Sequence, residues 1–439
     1  MGRNLSLKFY NNLMIIVGFL LAALYSYGHL IDGDVIQNLV KAHEFVTYGK
    51  ITPYGNISSS GISGNVPGVF LTLIAGLPMK LVHSPWSALV VIAIMHFFAL
   101  MMFVNVLKNY VSPITITALY VFFWLNPWRA SEVFIWNPAY IFFVSLLHMW
   151  SAYYLSKSRS FLFSFIHAQS LFLGLQVHPS FIILFFMTML LLWTKAMKPN
   201  WKGTVSGIIF GIITLVPYII AGLKDPSLFP QTGGGDDKGF LFFGLLYVYP
   251  LLKAFWYWIL FGSTIFQTHI FHQTEYSWIG NDFLRVAFKY MWLVLKYSIG
   301  IAGVLFSFNV NFKFYKKYKK QFNIIKYKFS NNDNWLAQYA ILAFSSALIA
   351  TAISPTLPIY WHLLYIWPMA IIPLMLRLEE LFNLSSVARK VRIIVAASAV
   401  YFVIFNIVGA LGSKKHDISS SFHDLYFKQC KEHCVRPDQ

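Results

Sequence analysis

Residues 10–48 read YNNLMIIVGFLLAALYSYGHLIDGDVIQNLVKAHEFVTY. Tyr10 to Gly28 lies between Lys8 and His29 and is almost wholly apolar, long enough to cross a bilayer as a helix. It is longer than the apolar core of a signal peptide and no small-residue cleavage site follows, so the reading is a retained span with its N-terminus in the cytoplasm beside Arg3 and Lys8. The next twenty residues change character. Ile36, Leu39, Val40 and Val46 recur at helical spacing, Lys41 and Glu44 fall on the polar side, and Gly49 is placed to end the helix. Asp32 and Asp34 stand at its head. A span followed by an amphipathic surface helix with carboxylates at its start is the unit from which the rest is read.

The composition agrees. Of 439 residues 57% are apolar and 11% charged, with mean hydropathy +0.60 and two Cys. A soluble domain carries about 25% charged residues, so a soluble enzyme, a disordered chain, a collagen-like fibre and a disulfide scaffold are excluded. The remaining class is an all-α polytopic membrane protein. The net charge of +18 is read as Lys and Arg held in cytoplasmic loops rather than as a nucleic-acid surface.

Ten further spans are expected at about 87–106, 114–126, 139–155, 161–176, 180–194, 205–222, 286–308, 335–353, 360–376 and 393–412, about eleven in all. The apolar stretches 66–82 and 241–262 each contain a lysine, Lys80 and Lys253, and are read as interfacial helices at the outer surface. This arrangement puts 19 of the 34 Lys and Arg in short cytoplasmic loops, seven of them between Lys313 and Lys328, and only Asp333, Glu379 and Glu380 among the carboxylates there. The outer face then holds two long loops, 29–86 and 224–281, and most of the acids, so chemistry is expected on that side. Residues 1–412 form one membrane domain, and the tail 413–439 falls outside.

Asp34 has two readings: an N-cap that satisfies the first backbone N–H groups of its helix, or a catalytic base at the bilayer edge. Asp32 could be the cap instead, which would free Asp34. Gly233 to Asp237 lacks the Walker pattern and reads as an external turn. Cys430, His433 and Cys434 do not complete a zinc site, and neither metal nor cofactor is expected. His96, His148 and His167 lie within spans and read as packing residues, whereas His178 and His362 fall at outer helix ends.

With these residues in place the first loop resembles a known pattern. Asp34, Ala42, Gly49-Lys50-Ile-Thr-Pro53-Tyr-Gly55, Ser58 to Gly61 and Asn65-Val-Pro67-Gly68 resemble the first external loop of GT-C glycosyltransferases, the bacterial family 39-like group of protein O-mannosyltransferases and the lipid A aminoarabinose transferase. Ile135-Trp136-Asn137-Pro138, Gln176-Val-His178-Pro179 and Tyr360-Trp361-His362 to Pro368 are similar to further elements of that group. Val35 and Asn38 depart from it, standing where Glu and an aromatic are common, which leaves a second carboxylate role to Asp32 or Glu44.

The resemblance implies a GT-C fold with interfacial helices in the long external loops. It implies a sugar donor carried on a polyprenyl phosphate, a glycan, lipid or protein hydroxyl as acceptor, and surrounding membrane lipids as partners. Transfer would occur at the periplasmic or outer face of a bacterial inner membrane. Asp34 would then be the base, and a single displacement would invert the anomeric carbon. The phosphate leaving group requires cations. Lys296, Lys289 and Arg285 share a helix face and either snorkel or clamp that phosphate, with Lys80 and Lys253 as rivals. Lys50, Trp136, Asn137, Gln176, His178 and His362 are the expected substrate contacts. The alternative is a transporter or flippase of polyprenyl-linked glycans, for which the paired halves common in transporters are not visible.

Overall fold

Inside a bilayer no water satisfies the backbone, so a chain this apolar must close its hydrogen bonds within helices. The computed structural model describes residues 2–27, 33–57, 62–232, 248–263, 276–319, 322–323, 328–329, 334–354 and 358–412. Asp32, the 233–237 turn, and the 413–439 tail with Cys430, His433 and Cys434 lie outside the described residues.

The helices are α1 (Gly2–Tyr27), α2 (Gly33–Tyr48), α3 (Phe70–Leu81), α4 (Pro85–Leu107), α5 (Pro113–Leu119, continued by a π turn over Tyr120–Trp124), α6 (Pro127–Ala130), α7 (Ile141–Lys157), α8 (Phe161–Val177) and α9 (Ile182–Trp193). They continue as α10 (Trp201–Lys224), α11 (Val248–Leu260), α12 (Asp282–Tyr318), α13 (Trp335–Ala352), α14 (Trp367–Ala370), α15 (Ile372–Phe382) and α16 (Ser385–Gly412). Each of the eleven expected spans falls on helix, but among the described residues seven helices have the length and hydropathy to cross a membrane alone. Phe70–Leu81, Pro113–Trp124, Phe161–Val177 and Pro179–Trp193 are apolar but shorter. The protein is a multi-pass membrane protein, and its lipid-facing surface is lined with exposed apolar side chains such as Ile209, Phe210, Leu293, Val294 and Ile394.

Hydrogen bonds between distant helices sort their ends into two sets. At the α2 end, Gln176 meets Phe70, Tyr218 donates to the Asn65 and Leu228 carbonyls, and the two-residue strands 62–63 and 231–232 pair. At the opposite end, Glu379 accepts from Ser112 and Thr115, Lys317 pairs with Glu380, and the Trp335 indole donates to Ala196. This is the alternation expected of successive spans.

Two expectations require correction. The 286–308 span is a 37-residue helix, Asp282–Tyr318, so the lysine-rich loop begins as helix carrying Lys313, Lys316 and Lys317, with Lys319 as its C-cap. Lysine is a good helix former and its charge suits a helix C-terminus. The second correction concerns 241–262. The described part, α11, does not lie along the surface but runs inward from Lys253, which neighbours His362, to Trp258. The Trp258 indole donates to Asn311 at 2.8 Å, about 43 Å along α12 from its start, and Trp258 packs on Phe344 midway along α13. Buried Ala254, Tyr257, Trp258, Ile259 and Leu260 draw α11 into the space between those helices.

The connection after α5 is also set into the bundle. Residues 123–140 are all buried. The Trp124 indole donates to Ile15, Arg129 to Gly18, Ser26 to Val133 and Asn406 to Leu125, while His96 meets the Ala139 carbonyl. Irregular backbone beside the middle of α1 is tolerated because protein surrounds it.

Candidate functional site

Asp34 is in the first turn of α2, and Asn38 and Lys41 follow at i+4 and i+7, so the three share one face. Val35, Leu39 and Ala42 are buried in the core, which directs that face inward rather than to solvent. Asn38 donates to the Ile135 carbonyl at 3.3 Å and to Asn137 Oδ1 at 3.2 Å. Lys41, expected on the polar side, is only 9% exposed. Its Nζ donates to the Gly55 carbonyl at 2.6 Å and reaches Asn56 Oδ1 at 3.4 Å, while Asn56 Nδ2 donates to the Asp34 carbonyl at 2.9 Å. Burial pushes Lys41 down to about 8, against the opposing pull of Asp34 and Glu44. The strand pair Tyr54–Ile57 and Asn65–Pro67 thus covers the start of α2 and supplies the carbonyl that holds this lysine.

Asn137 connects α2 to a second group. The Trp136 ring stacks on Phe134 at 4.5 Å and meets the edge of Trp361 at 6.2 Å. His362 follows at 5.9 Å from Trp361, and its ring lies 5.4 Å from that of His178. The charge of Lys253 is felt at His362. Segments 34–41, 134–137, 178 and 360–362 therefore form one continuous wall.

The expected site residues divide accordingly. Asp34, Asn137, Trp136, His178, His362 and Lys253 belong to this wall. Glu44 is occupied by Lys50 at 3.2 Å and by the Thr52 hydroxyl at 3.3 Å, so Glu44 and Lys50 hold the turn after α2. Gln176 is buried, accepts from the Phe70 backbone N–H at 3.3 Å and donates to Thr214 at 3.0 Å. It packs against Gly68, whose φ of +93° and lack of room for a Cβ admit only glycine, so Gln176 positions α3. Lys80 lies over the Phe45 ring, exposed. On α12, Arg285 pairs with Asp282 at 2.8 Å, Lys289 is exposed, and Lys296 lies over the Tyr297 ring at 5.0 Å. The helix–helix packing of α12 is chiefly against α15 and α11, so of the five candidate cations the His pair has Lys253 for its neighbour.

Sequence reasoning missed Arg129 and Glu132. Both are buried, Glu132 at 1% exposure. The Arg129 guanidinium lies 4.0 Å from the Trp124 ring and donates to the Trp124 and Gly18 carbonyls. Arg129 Nη1, Ser131 Oγ and Asn38 Oδ1 are buried without a hydrogen-bond partner among the described residues, and the buried Glu132 carboxylate faces the Trp136 indole N–H. Such atoms are rare in native interiors, and their concentration here marks a place where a polar ligand or water would be bound. The available signal was Trp128-Arg-Ala-Ser-Glu132, two charges in a short link between apolar spans.

No protein-family model matches the sequence, and no curated protein matches it. Among solved structures, the crystal structure of ArnT from Cupriavidus metallidurans bound to undecaprenyl phosphate is similar in fold, with TM-score 0.53 and 11% sequence identity over 97% of this chain and 81% of that one. The similarity covers nearly the whole of this chain, and with the helical architecture described above it shows a polytopic membrane protein with the GT-C fold.

Proposed function

We propose that this protein is a membrane glycosyltransferase that moves a sugar from a polyprenyl-phosphate donor to a hydroxyl of a glycan, lipid or protein acceptor. The observation that carries the reading is the convergence, in a GT-C fold, of the α2 carboxylate face with a buried turn that holds Arg129 and Glu132 and in which Arg129 Nη1 and Ser131 Oγ lack partners among the described residues. Asp34 takes the acceptor proton as the new O–C bond forms at the anomeric carbon and the C–O bond to phosphate breaks, inverting that carbon. Charge develops on the departing phosphate and is met by Lys253 with the His178–His362 pair. Asn137, Trp136 and Glu132 line the sugar site. The α2 end faces the outside of a bacterial inner membrane, because the lysine-rich end of α12 is opposite.

The test is transfer by the purified protein from short-chain polyprenyl-phosphate sugars. Asp34 stands inside the first turn of α2, which begins at Gly33, so it is not the N-cap that its sequence position also allowed; Asp34→Asn keeps its size, and thermal stability should hold while turnover falls by about two to four orders of magnitude. Near wild-type turnover would remove Asp34 as base and move the role to Glu132. Absence of transfer by the wild-type protein from any such donor would sink the reading.

A further inference from the structure

At the end opposite α2, a pocket of about 340 Å³ opens between α12 and α15. Lys313, Lys316, Lys317 and Arg377 line it, with one carboxylate, Glu380. Glu380 is shared between Lys317 at 2.6 Å and Arg377 at 2.7 Å. Lys313 and Lys316 make no hydrogen bond or ion pair among the described residues, so three positive charges in this pocket are uncompensated.

A second cavity of about 440 Å³ adjoins it and shares Phe314 and Tyr318 with it. Phe255, Trp258, Phe308, Phe312 and Phe344 supply most of its lining, and it runs along membrane-crossing helices α12 and α13. Its few polar contributions come from Asn311, Tyr315, Lys319 and Ser345.

We infer that the two cavities form one site for an anionic phospholipid, phosphate headgroup among the lysines and acyl chain in the aromatic groove. The charge complementarity argues for it: an occupant must carry negative charge at the membrane edge and an apolar chain within the bilayer. A soluble anion leaves the groove empty, and a zwitterionic lipid leaves the lysines uncompensated. The lysine cluster is at the end of the bundle opposite the wall formed by Asp34, His178 and His362, so the headgroup site is distinct from the donor phosphate site proposed above, while the groove reaches α11, whose Lys253 belongs to that wall. The site is a lipid contact that ties α12, largely exposed along its length, to α11, α13 and α15.

The experiment uses the full chain in neutral detergent, with native mass spectrometry and thermal unfolding as readouts. The probes are phosphatidylglycerol, phosphatidylcholine with the same acyl chains, and inorganic phosphate. Phosphatidylglycerol should stay bound and raise the unfolding temperature, and the other two should do neither. The Lys313→Gln/Lys316→Gln double variant should lose affinity for phosphatidylglycerol by about tenfold or more, the size of one lost charged hydrogen bond. Lys313→Arg/Lys316→Arg should retain binding, which separates lost charge from lost folding. Ser345→Phe, which narrows the groove without touching the lysines, should also weaken binding. Equal retention of phosphatidylcholine, stabilisation by inorganic phosphate alone, or unchanged phosphatidylglycerol binding in the Gln double variant would each overturn the proposal. Displacement of phosphatidylglycerol by an equimolar polyprenyl phosphate would overturn it too, assigning the pocket to the donor.

Discussion

Lys41 offers a quantitative test of how α2 is held. Its amine is buried against the Gly55 carbonyl, and burial takes it from 10.5 in water to about 8 in the fold. That displacement corresponds to about 3 kcal/mol in favour of the neutral amine. Below pH 8 the amine is charged in both folded and unfolded chains, and the fold bears the cost of burying that charge. Between pH 8 and 10.5 the unfolded chain keeps the proton that the fold has released. The unfolded state then binds more protons, so stability rises with pH across this window, by about 3 kcal/mol in all. Other lysines and tyrosines titrate nearby, so the quantity to measure is a difference. Unfolding of the wild type and of Lys41→Met should be followed in detergent from pH 7 to 10.5. The wild type should gain about 3 kcal/mol on the Met variant over that range. A flat difference curve would show that Lys41 is solvated and that its inward placement is wrong. If its positive charge supports the Asp34 carboxylate during transfer, turnover should also fall as pH rises through about 8.

Three other outcomes are expected of the same structure. In a protein lacking Cys430 and Cys434, an impermeant thiol reagent applied to intact cells should label Lys50→Cys and not Lys316→Cys; the reverse would invert the orientation and place Asp34 in the cytoplasm. A Cβ on Gly18 would overlap the Trp124 indole, whose N–H donates to Ile15, so Gly18→Ala should cost about 1–3 kcal/mol of stability by chemical unfolding. Thr188 Oγ1 lies 2.9 Å from His148 Nε2 and 3.1 Å from His167 Nε2, with Tyr339 and Ser151 on the other ring nitrogens. Thr188→Val should therefore cost about 1–3 kcal/mol for each ring nitrogen it orphans, and a loss below 0.5 kcal/mol in the unfolding assay, a threshold at the floor of a hydrogen bond's worth, would mean that water replaces the hydroxyl.

Local chemistry was enough to place the helices. Hydropathy over twenty residues marks a span whatever surrounds it, and the spacing of Ile36, Leu39, Val40 and Val46 marks α2 down to its end, where Gly49 takes φ of +68°. Asp34 stands in the first turn, as its position ahead of the apolar rows implied. The motif at 135–138 and the outer-turn residues His178 and His362 were legible one by one, but not their proximity, because they come from separate segments and share no local signal. The same holds for Lys41. A lysine on the polar side of a helix reads as solvated until strand Tyr54–Ile57 folds back over it and presents a carbonyl. Arg129 and Glu132 were hidden for a related reason: their link is short enough to be a surface turn, and only the packing of α1, α4 and α16 around it makes it interior. The depth of α11 likewise depends on a partner, Asn311, more than fifty residues away. Periodicity and hydropathy act through neighbours in sequence, so they mark which segments are helical and membrane-embedded; which polar groups are buried, and against what, depends on contacts between distant segments that no local pattern encodes.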